Sequence, residues 1–80
     1  MKIEIKQMAY VVIERWDTGG YDMGVTVFDT REKAKEYMDN QSRKMIKDID
    51  CAEVIDQDCI ITVENEHNWW EATLEEKEIK

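Results

Sequence analysis

Cys51, Cys59 and His67 are the side chains best suited to soft-metal or nucleophilic chemistry, and their spacing argues against both. Seven residues separate each from the next. A zinc site would use tighter pairs, of the C-x2-C or H-x3-H kind, and a fourth ligand. A Cys–His nucleophile pair would need an activating base and oxyanion donors, which no motif here marks. The expectation is therefore no metal, no cofactor and no enzymatic activity. The cysteines are read as small buried hydrophobes, kept reduced, and His67 as a hairpin-tip residue.

Three further stretches carry charge or glycine in patterns that invite a function. "DTGGYDMG" has the glycines of a phosphate loop, but it joins two strands and does not open a helix, so the N–H cluster that binds phosphate is missing. "SRKMIK", with Arg43, Lys44 and Lys47, is the one basic cluster. It falls in the last turns of a helix, where cations complement the dipole, and it lacks the interleaved aromatics of a nucleic-acid surface. "KDIDCAEVIDQD" sets Asp48, Asp50, Glu53, Asp56 and Asp58 close together with only Lys47 at its edge. In extended chain, alternate residues lie roughly 6.5–7 Å apart, near the phosphate spacing of one nucleic-acid strand. Such a strip could occupy a cationic channel of another protein; the alternative is a solvated loop that aids solubility. The spacing of an EF-hand calcium loop is absent.

The elements that must position these residues are legible. "AYVVIERW" and "YDMGVTVF" are β-branched and aromatic runs around a glycine turn, a hairpin pattern. A two-residue loop would pair Trp16 with Tyr21, Arg15 with Asp22 and Val12 with Val25; an odd loop shifts every pair by one. Asp29 or Thr30 can cap the next element, with Asp29 and Glu32 at capping-box spacing. Ala34, Tyr37, Met38, Gln41, Met45, Ile46 and Ile49 follow helical periodicity, leaving Arg31, Lys33, Lys35, Glu36 and Asp39 on the wet side.

"CIITVENEHNWWEATL" reads as a second hairpin. Setting Glu64 opposite Trp69 brings Val63 against Trp70, Ile61 against Ala72 and Cys59 against Leu74 on one face. Adjacent strand residues point to opposite faces, so Trp70 is expected in the core and Trp69 on the other side. In the first hairpin, Val11 and Ile13 are taken to face the helix, with Met8, Tyr10 and Val12 facing away toward Trp69. One helix cannot cover both faces of a sheet. The second face must be covered by loops and the leading "KIEIKQ", or by a partner.

Eighty residues make one domain, 1–80, able to bury about 60–65% of its unfolded surface. The expected fold class is α+β: an antiparallel sheet of two hairpins with one helix packed on one face. With 19 Asp+Glu against 11 Lys+Arg, the net charge is −8. The excess is one-sided, since residues 1–47 hold nine basic and eight acidic side chains while 48–80 hold two and eleven. That balance opposes direct binding to nucleic acid or anionic membrane and favours a basic protein partner. "MKIEIKQMAY" interrupts its apolar residues with charge, which argues against a secretory segment, and the default compartment is cytoplasmic.

At "GVTVFDTREKAKEYM", Gly24 through Met38, the chain resembles small phage and prophage proteins in which a V-F-[DS]-[ST] step leads from a hairpin into a K/E-rich helix. In size, acidity and single-domain build it is also similar to phage anti-CRISPR and other DNA-mimicking inhibitors. Those likenesses imply a phage-encoded inhibitor of a host nucleic-acid-binding defence protein. On that reading Asp48, Asp50, Glu53, Asp56 and Asp58 with Trp69 and Tyr10 would meet the partner. The rival expectation is a structural homodimer that packs through the second sheet face.

Overall fold

The computed structural model describes residues 7–79. Two strands, β1 (Gln7–Asp17) and β2 (Tyr21–Phe28), precede the helix α1 (Arg31–Asp48), and β3 (Glu53–Gln57), β4 (Ile60–Glu64) and β5 (Trp69–Ile79) follow it. All five strands form one antiparallel sheet in the order β2-β1-β5-β4-β3, with α1 on one face. The α+β class with one helix on an antiparallel sheet is as expected. The addition is β3, a fifth strand made from the acidic connection.

The first hairpin closes through Thr18, Gly19 and Gly20, with Gly19 at φ 115, a conformation glycine adopts without strain. The loop is odd, so Trp16 pairs with Asp22, Arg15 with Met23 and Val12 with Thr26, one residue from the two-residue register. The second hairpin has the expected register throughout, from Glu64 opposite Trp69 to Ile60 opposite Thr73. It continues as a bond from Leu74 N–H to the Cys59 carbonyl at 2.8 Å.

The helix begins where Thr30 Oγ1 accepts the Lys33 N–H at 3.2 Å, and the Ile49 N–H closes its end on the Met45 carbonyl at 2.8 Å. Thr30 is the cap. Asp29 pairs instead with the Lys33 ammonium at 3.0 Å, so the Asp29–Glu32 box does not form. Ala34, Met38 and Ser42 are the buried helical positions, with Tyr37 and Met45 packed beside them. Ile46, expected in the stripe, is exposed: each four-residue step turns the line about 40° further round the helix, so the inward positions pass from 34, 38 and 42 to Met45 and Ile49.

Trp70, Met38, Ile49, Val12 and Val63 are the largest fully buried side chains, joined by Ala72, Leu74, Ile61 and Ala34. Trp70 is thus core and Trp69 is not. In β1, however, the faces are the reverse of the expectation. Val12 is buried under the helix with Tyr10 and Trp16 at its flanks, and Val11 and Ile13 lie on the open face. Pairing with β5 imposes this, because Trp16 opposes Trp70 and Val12 opposes Leu74, and directly opposed residues share a face. Residues 2–6 of "KIEIKQ" lie outside the described residues. Among the described residues no helix is long and apolar enough to cross a membrane.

Candidate functional site

The open face is ordered in rows across the strands. Register places Tyr21 beside Asp17, Asp17 beside Trp69, Trp69 beside Glu64 and Glu64 beside Glu53, one line from β2 to β3. The Tyr21 and Trp69 rings approach over Asp17 with centroids 6.2 Å apart and a 54° tilt, a geometry that favours aromatic pairs. Three carboxylates, Asp17, Glu64 and Glu53, flank that pair.

Glu53 and Glu64 are direct cross-strand partners on the exposed edge hairpin. Like charges so placed oppose strand pairing. No cation forms an ion pair with either among the described residues. Loop chemistry gathers more negative charge at the same end. Asn65 Oδ1 accepts the N–H groups of His67 and Asn68, fixing the β4–β5 turn, and the Asn65 Nδ2 group donates to the Asp50 carbonyl at 2.9 Å. The result is a shallow cleft of about 510 Å³ bordered by Asp50, Cys51, Glu53, Glu64, Glu66 and His67.

Of the residues singled out in the sequence, this end collects Asp50, Glu53 and Trp69, with Asp48 exposed at the last position of α1. The others lie elsewhere. Asp56 and Asp58 sit at the far end of the β3–β4 hairpin, beside Lys35 and Asp39. Asp58 is bound on both oxygens, by Lys35 Nζ at 2.7 Å and Arg31 Nη2 at 3.1 Å, and Arg31 also holds Glu76 at 2.6 Å. Hydrogen bonding and charge from Lys35, then from Arg31, keep the Asp58 carboxyl below its ordinary 3.8. Asp58 therefore ties the hairpin to the helix. Tyr10 lies on the helix face, packed against the core opposite Phe28, and Tyr21 is the aromatic neighbour of Trp69.

The uniform carboxylate ladder also does not form. Within β3, Glu53 faces the open side and Asp56 the helix side, because they are three positions apart and strand side chains alternate. Glu64, Glu66, Asp17 and Tyr21 complete the site and were not singled out. The signal for Glu64 was present in the second-hairpin register, which already set it opposite Trp69.

Cys51 is exposed rather than buried, at φ 53, and Cys59 is half-buried at the core's margin; both are free thiols. Among the described residues no group of three His, Cys, Asp or Glu side chains is arranged to hold a metal ion. Clustered carboxylates beside a tilted aromatic pair suit cationic side chains, which the first attract at a distance and the second receive on their faces. No protein-family model matches the chain, and no curated protein or solved structure matches it.

Proposed function

We propose that this chain is a non-enzymatic protein-binding module whose acidic and aromatic sheet end engages a basic protein surface. The observation that carries the reading is the Glu53–Glu64 cross-strand pair. It weakens the hairpin it belongs to and has no neutralising partner among the described residues, so a cationic partner is the natural source of compensation. Asp50 and Glu66, with Asp48 two positions before Asp50 at the helix end, extend the same field, and Trp69 with Tyr21 supplies an anchor of the aromatic kind that dominates interface energetics.

Within this class the chain acts as an inhibitor that covers the cationic surface of a nucleic-acid-binding protein. Its size and its −8 charge, the profile on which it resembles small acidic phage inhibitors, support that role. The carboxylates would come from α1, β3, β4 and the two adjoining turns, not from one strand.

The test is affinity capture from a bacterial lysate with the wild-type chain and with the Asp50→Lys, Glu53→Lys variant as baits. A basic protein held by the wild type, released at high salt and lost to the variant supports the reading, and that protein's binding to duplex DNA should then be competed by the wild-type chain. Identical captured sets from the two baits would sink it.

A further inference from the structure

The open face carries a second feature, apart from its acidic end. Val25, Ile13, Thr73 and Ile60 are successive register partners across β2, β1, β5 and β4, forming an apolar belt at right angles to the strands. Val27 and Val11 form the next row, and Met23 lies on the other side. Val25 and Val27 are 60% and 62% exposed and Ile60 37%. With ordinary side-chain sizes, the exposed part of these residues comes to roughly 500 Å², at the upper end of what a monomer leaves uncovered.

We infer that a second copy of this chain covers the belt, the two open faces stacking about a two-fold axis. Local charge selects that occupant. Around the belt Arg15 and Lys77 balance Glu71 and Glu75, so two copies can approach here without the repulsion that their −8 charges create elsewhere. An isologous contact must complement itself, and a row of small and β-branched side chains flanked by both signs of charge meets that condition. Area agrees as well: the belt plus its polar rim approaches the roughly 800 Å² per partner of a standard interface. A basic foreign protein would be drawn to the acidic end instead. Pairing of β2 edges alone would leave the belt in water. Stacked sheets lie about 10 Å apart, so the dimer is a helix–sheet–sheet–helix sandwich with the acidic ends at its rim.

Sedimentation equilibrium of the full chain at physiological and at molar salt tests this. A mass twice the 9.5 kDa of one chain, retained at high salt, is expected because the contact is apolar and salt screens the remaining repulsion. Val25→Glu should weaken the dimer about tenfold or more. So should Thr73→Lys on central β5 or, if that variant folds poorly, Ile60→Lys. Circular dichroism should show an intact fold, and Ile46→Glu on the helix should leave the dimer unchanged. A wild-type monomer at micromolar concentration overturns the proposal. So does a dimer that survives both Thr73→Lys and Ile60→Lys but not Val25→Glu, which would be edge pairing. A wild-type monomer that binds a foreign protein through Val25 overturns it too.

Discussion

Trp70 donates its indole Nε1 hydrogen to Glu14 Oε2 at 3.3 Å inside the core, and the other oxygen of that carboxyl has no protein partner. Glu14 is only 7% exposed. It is buried because β1 must present the face that carries Val12 and Trp16 to β5, and Glu14 shares that face. Gly24 and Ala72 flank it across the sheet, leaving room for the longer side chain. A Cβ at position 24 would meet the Trp16 ring at 3.6 Å, an ordinary packing contact.

From this pairing, Glu14→Ala should lose about 1–3 kcal/mol by stranding a buried donor, while Glu14→Gln keeps an acceptor and most of the stability. Trp70→Ala should cost about 3–5 kcal/mol. Trp69→Ala, on the open face, should cost far less in an isolated chain. Urea unfolding of the four variants gives the order; equal losses for the two tryptophans would refute the assignment of faces.

At the acidic end, charge reversal should separate stability from binding. Glu53→Lys turns the repulsive Glu53–Glu64 pair into an attractive one and should raise stability by about 0.2–1 kcal/mol while abolishing capture of a basic partner. A thermal melt beside the capture assay measures both. A variant that loses stability would show that Glu53 has a structural role.

Asp58 should act in the opposite sense. Lys35 and Arg31 hold its carboxyl below 3.8, so the ionised form is favoured by folding. The resulting stabilisation is complete above the ordinary aspartate value and fades as pH falls through the lower folded value. The effect is modest because the side chain is 75% exposed. Melting curves of wild type and Asp58→Asn should differ by a constant amount from neutral pH down to about 4 and converge below it. A gap that widened on acidification would contradict the ion pairs.

Cys51 occupies left-handed backbone just after the helix end, at a cost of about 1 kcal/mol or more for a side chain with a Cβ. Cys51→Gly should recover up to about 1 kcal/mol, less the entropy that glycine loses on folding. Cys51→Ala should not recover it, which distinguishes backbone relief from removal of the thiol.

By itself the sequence determined what local chemistry can encode: the two hairpins, a helix entered at Asp29 or Thr30, the α+β class, and the register that puts Trp70 inside and Trp69 outside. That second hairpin is strongly specified because only one parity gathers Val63, Ile61, Trp70, Ala72 and Leu74 on one face. Tertiary structure decided the rest. In β1, Val11, Val12 and Ile13 make both parities apolar, so alternation says nothing about which side meets the helix. Pairing with β5, more than fifty residues away, settles it and buries Glu14 as a consequence. The connection Glu53–Gln57 carries β-branched Val54 and Ile55 among acids, too short a signal to mark a strand alone, and it becomes one because the β4 edge offers it a ladder of free backbone groups. That pairing, and not the spacing of acids along the chain, divides the acidic run into Asp50 and Glu53 near Trp69 at one end and Asp58 in ion pairs at the other. Strand pairing is non-local, and a one-residue slip exchanges every face, so the functional surface became definite only once the strands were set side by side.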